Sequence, residues 1–387
     1  MSIENVLERF VKDPMYAPPQ INGWFRILHG INPTTMRKAF GATISESAPA
    51  YLVPDDQTNV TVPAMNMTKT NRLYRLEYEL KYQNGTITIP TMSNRGAPAN
   101  QKIMDTVVSS FLFKIPHYKM EDGLIADDFR ERIPFQGTTE DLVLVEQVMA
   151  EKFELAQIQW EDLWEYNFCM AVRGYVMNGL NNTVLDLYDK FGVKRKTITI
   201  DFGTNNDNNV YHEILDAVLY QRVSAGYNHN KRVAFCSPEF YEKIRTNTHV
   251  YEAHKYQDSA FLRELGLEGF NHYDVEWVLY PNGTATENSY TPWIEPGAAY
   301  LVPFGIPELF HETFGPADYM ESLGKPAQNM NAKYELMPMA RGLNLESQTN
   351  VIVHCTRPQC IVKLVAKEFE TLERFVPKSP VTPVKRK

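Results

Sequence analysis

Several places in the sequence set reactive side chains next to one another, and none has the spacing a reaction centre needs. His212-Glu213 and His311-Glu312 each put an imidazole beside a carboxylate. Neither has the second histidine, four residues after the first, that lets two rings face one metal from a helix. His249 and His254 are five positions apart, which splits them between helical faces. Glu121-Asp122 and Asp127-Asp128 offer paired carboxyls, but acid–base work needs two carboxyls in unlike environments facing a cleft. Neighbours in a polar run read as solvated loop residues. His354-Cys355 lies in a β-prone run, where adjacent side chains point to opposite faces. Cys355 is therefore expected in the core, out of reach of an activating imidazole. The four cysteines, Cys169, Cys236, Cys355 and Cys360, contain no C-x-x-C pair, which excludes zinc ribbons and thioredoxin-like redox motifs. No G-x-x-x-x-G-K-[ST] phosphate loop, G-x-G-x-x-G, H-E-x-x-H or G-x-S-x-G occurs. The expectation is a chain with no catalytic residue, no cofactor and no metal.

The composition narrows the classes further. The chain has 387 residues, with 39 Lys and Arg against 47 Asp and Glu, for a net charge of −8. That length suits two or three domains or one elongated subunit. A hydrophobic share of 43% with 12% aromatics is enough for a real core and excludes global disorder. A net acidic chain is a poor candidate for gripping nucleic acid over its whole face. The basic end Lys385-Arg386-Lys387 reads as a solubilising tail. So few cysteines indicate free thiols in a reducing compartment. The first residues carry Glu4, Glu8 and Arg9 where a secretory leader needs an apolar run. No apolar stretch is long enough to span a membrane.

The elements these residues sit on follow from periodicity. Residues 1–60 form a loosely patterned arm, broken at Pro14, Pro18, Pro19 and Pro33, with room for short helices at Ile3–Lys12 and Thr34–Phe40. Read alone, this arm packs on its own domain. Tyr74, Leu76, Tyr78, Leu80 and Tyr82 alternate with charged residues and predict a strand with an aromatic face. Asn84-Gly85 follows as a tight turn, then a second strand from Thr86. A strand near Phe111–Ile115 is expected to pair with it, making an extended ribbon with Ser93–Asn100 at the tip. Such a ribbon is marginal alone and must lie on another surface.

Residues 138–178 give the strongest helical pattern, with Leu142, Val145, Met149, Phe153, Ala156, Trp160, Leu163 and Ala171 on one side. Asn178-Gly179 is the expected stop. The helix's charged positions, among them Lys152, Glu161 and Glu165, read as a solvated face or an inter-subunit edge. Further strands are predicted at Thr197–Phe202, Arg232–Cys236, Val275–Tyr280, Ala298–Val302, Asn350–Cys355 and Cys360–Val365. A turn falls at Gly192. Helices are predicted near Val210–Arg222 and at Pro238–Arg245, the latter with Ser237 as cap. The tail from Val376 is rich in Pro and Lys. A ribbon, an arm and a very long helix leave too much edge and apolar surface for a monomer and suit burial on other copies.

Taken in order, several runs resemble the lambda-like tailed-phage major capsid protein E family. RGAPAN (Arg95–Asn100) is similar to its ribbon-tip signature. FKIPHYKMEDGLIADDFRERIPF (Phe113–Phe135) matches through Pro116, His117, Asp122, Asp127 and Arg132. The run Glu161–Val193 ends on the family's turn at Gly192. Phe304–Tyr334 carries its P-A-D at Pro316, and Glu346–Leu364 its T-R-P at Arg357 and Pro358. The resemblance implies an α+β fold of the Hong Kong 97 phage capsid type. It has an N-terminal arm and lead-in (1–71), a β-hairpin and extended loop (72–116), and a peripheral domain (117–203) with spine helix 138–178. An axial domain (204–316), return strands (317–365) and a C-terminal extension (366–387) complete it. The implied function is structural: hexamers and pentamers closing an icosahedral shell around packaged double-stranded DNA. The ribbon tip, Ser93, Asn94, Arg95, Gly96, Ala97 and Pro98, would touch a neighbouring subunit, with Arg95 pairing to a carboxylate or backbone carbonyl. The implied partners are other copies, a scaffold protein, a portal, a decoration protein and non-specifically contacted DNA, with no membrane. The implied location is the virion, after assembly in the host bacterial cytoplasm. Two other readings stand beside it, an encapsulin-like compartment shell and a soluble enzyme.

Overall fold

The computed structural model describes residues 36, 37, 40, 67–82, 109–125, 128, 139–177, 183–203, 207–225, 231–247, 250, 269–286 and 289–372. It is an α+β architecture built around one long helix, Thr139–Val172. At 1.5 Å per residue this helix is about 51 Å long. Val145, Val148, Met149, Phe153, Trp160, Trp164 and Phe168 form its buried stripe. The helix stops before the expected end at Asn178. Gly174 adopts a left-handed φ of 83°, and a Cβ there would overlap the Tyr188 ring. The chain then turns into the strand Tyr175–Met177, paired with Thr183–Asp186. The spine helix expected over 138–178 is thus shorter, because a backbone turn open only to glycine precedes the Asn178-Gly179 signal.

The largest sheet has six strands in the order Lys196–Ile200, Val362–Ala366, Ala298–Phe304, Lys231–Cys236, Val275–Leu279 and Gly269–His272. Its strands alternate between two cores. Ala234, Cys236 and Trp277 face one core together with the helices Asp207–Ala225 and Pro238–Thr246. Val233, Phe235 and Val278 face the larger core, shared with the long helix. Ser237 caps the second helix as expected, its Oγ accepting from the Phe240 N–H at 3.3 Å.

A three-stranded sheet pairs Phe310–Phe314 with Thr68–Arg72 in parallel and with Val351–Cys355 antiparallel. A second joins Asn331–Leu336, Gly342–Thr349 and Tyr118–Ile125. Glu121 and Asp122 therefore sit on a strand, with exposed side chains, rather than in the expected loop. Between Thr183–Asp186 and Gly192 the chain forms a short helix, Leu187–Phe191, that local patterning did not reveal. Asp186 caps its start and Gly192, with φ 65°, ends it.

Candidate functional site

The aromatic alternation marks the strand Glu77–Tyr82, and the strand expected near Phe111–Ile115 to pair with the segment from Thr86 is found paired with Glu77–Tyr82 instead, forming the ribbon root. Glu77–Tyr82 pairs antiparallel with Ser109–Lys114, in the register Tyr78↔Phe113 and Tyr82↔Ser109. Leu80 is buried, while Leu112 is 70% exposed. Residues 83–108 leave and return at directly opposed positions. The Asn84-Gly85 turn, the strand from Thr86 and the tip residues Ser93, Asn94, Arg95, Gly96, Ala97 and Pro98 lie outside the described residues.

The root is fixed by polar and aromatic contacts on its aromatic face. The Tyr78 hydroxyl meets His311 Nδ1 at 2.8 Å, and burial pushes that hydroxyl up to about 12. Behind it, the His311 and His354 rings lie 5.3 Å apart. Burial, then the charge of His311, holds His354 well below the usual imidazole range. Tyr82 stacks on Phe191 at 5.0 Å.

Three of the signature residues, Pro116, His117 and Pro316, gather where the chain leaves this root. Pro116 is buried just before the strand Tyr118–Ile125. His117 Nδ1 lies 2.6 Å from Asn350 Oδ1, so the ring nitrogen donates. Asn350 Nδ2 donates to the Pro316 carbonyl at 2.5 Å, and the Asn350 carbonyl accepts from the Gly315 N–H at 2.8 Å. A second knot lies at the short helix. The Tyr188 hydroxyl donates to the Pro358 carbonyl at 2.9 Å, and Arg357, 2% exposed, donates to the Ala225 carbonyl at 3.3 Å. Asp122 stands apart from both knots. Its Oδ1 accepts from the Gly123 N–H at 2.7 Å and its Oδ2 lies 3.6 Å from Lys152 Nζ. Asp127 and Arg132 lie outside the described residues.

Two buried ionic clusters tie distant segments together, and sequence reasoning missed both. Glu165 had read as part of a solvated face or an inter-subunit edge, yet it is fully buried within the subunit. Its carboxylate accepts from the Met36 N–H at 2.9 Å, the Arg37 N–H at 3.0 Å and the Tyr280 hydroxyl at 2.9 Å. Arg37 in turn pairs with buried Glu312 at 2.8 Å and lies over the Trp164 ring. The described part of the lead-in is thus anchored on its own subunit. The only local signal for Glu165 was its place beside Trp164 and Phe168 on the apolar stripe. In the second cluster, Glu295 accepts from Arg173 at 2.8 Å and from the Tyr300 hydroxyl at 2.9 Å, with Lys363 at 3.5 Å. Burial alone would push the Glu295 carboxyl up, but Arg173 and then Lys363 hold it down at about 2.

These groups do structural work. Cys355 is buried, and burial raises its thiol well above the ordinary range. Among the described residues no group of three His, Cys, Asp or Glu side chains could hold a metal ion. Two surface hollows, of ≈ 330 and ≈ 420 Å³, flank the strand Tyr118–Ile125, with Lys152 and Leu155 at one and Lys333 and Asn344 at the other. The arrangement anchors the paired strands Glu77–Tyr82 and Ser109–Lys114 to the rest of the subunit.

Comparison with known proteins identifies the family. The sequence profile of the phage major capsid protein E family matches residues 57–366. The major capsid protein of Pseudomonas phage KPP10 is 27% identical over 275 residues, spanning 65% of this chain and 76% of the relative. That of Salmonella phage Felix O1 is 21% identical over 291 residues, spanning 67% and 78%. In fold, the chain is similar to a phage-related protein of Bordetella bronchiseptica, with a TM-score of 0.50 at 9% identity, over 89% of this chain and 96% of that one. That likeness is one of fold, α+β with several sheets and one long helix. A compartment shell and a soluble enzyme are not favoured. The chain belongs to the phage major capsid protein E family, the major capsid proteins of tailed phages.

Proposed function

We propose that copies of this chain form hexamers and pentamers that close an icosahedral shell around packaged double-stranded DNA, assembling in the host cytoplasm. The observation that carries this reading is the register Tyr82↔Ser109. It makes residues 83–108 a closed excursion that, if extended, reaches about 40 Å from its root. A ribbon of that reach is marginal in water unless it lies on another surface, and a neighbouring copy supplies one. In this reading the tip, Ser93–Pro98, contacts the neighbour, and Arg95 meets a carboxylate or backbone carbonyl there.

The long helix and the strand Tyr118–Ile125, within residues 117–203, form the peripheral part, completed by the return strands Asn331–Leu336 and Gly342–Thr349. The six-stranded sheet forms the axial part, with Lys196–Ile200 and Val362–Ala366 joining strands of 204–316. Shell closure comes from summed burial at repeating contacts, each individually weak enough for errors to be corrected. DNA is contacted through its phosphates and not by base reading. A scaffold protein shapes the precursor, a portal occupies one vertex, and a decoration protein binds outside.

Light scattering of the purified chain, alone and with a co-expressed scaffold protein, tests the proposal. Particles of megadalton mass are expected. Species that stay monomeric or dimeric under every assembly condition would overturn it.

A further inference from the structure

The ribbon root rests on two histidines. His311 and His354 stand opposite one another across the antiparallel pair Phe310–Phe314 and Val351–Cys355. Their rings are 5.3 Å apart at an angle of 77°, and the residues are 5% and 0% exposed. Tyr78 of the root closes over both, its hydroxyl 2.8 Å from His311 Nδ1 and its ring 5.5 Å from that of His354. Leu80, two residues on and so on the same face of its strand, is buried as well.

The charges around the pair are few and already engaged. Glu308 lies 3.6 Å from His311 Nε2 and is shared with Lys69 at 3.0 Å, Lys69 standing beside His311 in the strand Thr68–Arg72. From the root, the charge of Glu79 reaches Tyr78. Glu312 alternates to the opposite face, where it pairs with Arg37. Arg357, beyond the end of Val351–Cys355, turns to the Ala225 carbonyl. With Glu308 beside Nε2, the ring proton of His311 is favoured there and Nδ1 accepts from the Tyr78 hydroxyl. A proton added at Nδ1 takes that acceptor away. It also sets a cation 5.3 Å from a second ring that burial and this charge already hold well below the usual imidazole range. Both penalties are relieved in one way, by water entering under Tyr78.

We propose that His311 and His354 form an acid-sensitive latch on the ribbon root. With neutral rings Tyr78 and Leu80 stay seated; protonation lifts them off the sheet, so acidity sets how firmly the excursion 83–108 is held. His354 takes its proton less readily seated than freed, so the root is held fully above its ordinary value of 6.5 and progressively less as pH falls below it. The latch lies within one subunit and does not rest on the shell reading.

All four native cysteines are buried, so L80C places a reporter thiol under the root. Its reaction with dithiodipyridine, taken relative to the denatured chain at the same pH, should be about 25-fold faster at pH 5 than at pH 7, the gain from one histidine released to its ordinary 6.5. Cys355, on the opposite face of the strand that carries His354, should not accelerate. L80C/H354F keeps a ring against Tyr78 without its proton, and the gain there should fall below about three-fold. L80C/H354Q carries the same expectation if the phenylalanine variant does not fold, and Y82C reports from the same face in place of L80C. Equal rates at both pH values, acceleration that survives the loss of His354, or native cysteines speeding up in step with the reporter would overturn the latch and leave the shell reading intact.

Discussion

Asn350 holds His117 with its side-chain oxygen and the Pro316 carbonyl with its side-chain nitrogen, at 2.6 and 2.5 Å. One amide thereby joins the strand that leaves the ribbon root, the end of the Phe310–Phe314 strand and the start of Val351–Cys355. Asn350 itself is 3% exposed, while His117 is exposed and Pro316 half-buried.

Asn350→Ala removes both bonds and leaves the Pro316 carbonyl without its donor. A loss of about 2 kcal/mol is expected, read by urea denaturation of the unassembled subunit. His117→Ala removes one bond and should cost less. Equal, negligible losses would show that the amide is not the joint between these segments.

Glu165→Ala should free the lead-in. Three donors lose their acceptor at once, and Arg37, buried in the native chain, becomes open to trypsin. Limited proteolysis followed by mass spectrometry should show faster cleavage after Arg37 in the variant, with the rest of the digestion pattern unchanged.

The Glu295 cluster sets an acid limit on stability. Its carboxyl ionises at about 2 in the folded chain, against 4.5 ordinarily. The folded state therefore binds this proton less readily than the unfolded one. Its stabilisation is complete above pH 4.5 and is lost as pH falls toward 2, to a total of about 3 kcal/mol. Denaturation midpoints from pH 5 to 2 should fall less steeply in Glu295→Gln than in the unaltered chain.

The long helix, the cap at Ser237, the aromatic strand Glu77–Tyr82 and most strands of the six-stranded sheet were legible because their signals are local. Alternation, a four-residue apolar step and an Ser-Pro pair need no distant partner. The helix stop was not legible, since Gly174 follows an unbroken helical pattern and its left-handed turn fits against Tyr188, which comes later in the chain. Glu165 was misread for a similar reason. A carboxylate on a long helix looks solvated until the backbone of Met36 and Arg37, 129 and 128 residues away, is brought to it. The positions Pro116, His117, Pro316, Arg357 and Pro358 came from family resemblance, and no periodicity could foresee that His117 meets Asn350 across 233 residues.

Arg95→Ala separates folding from assembly. The tip contact lies between copies in the proposed shell, so the variant subunit should melt as the unaltered one does while shell yield falls several-fold. Parallel loss of melting temperature and yield would place Arg95 inside the subunit's own fold.

Cryo-electron microscopy of particles from the chain co-expressed with its scaffold tests the central claim most directly. The expected image is a closed icosahedral shell of hexamers and pentamers, with density for residues 83–108 lying across an adjacent subunit. Discrete small oligomers, or shells in which that segment folds back on its own subunit, would contradict it.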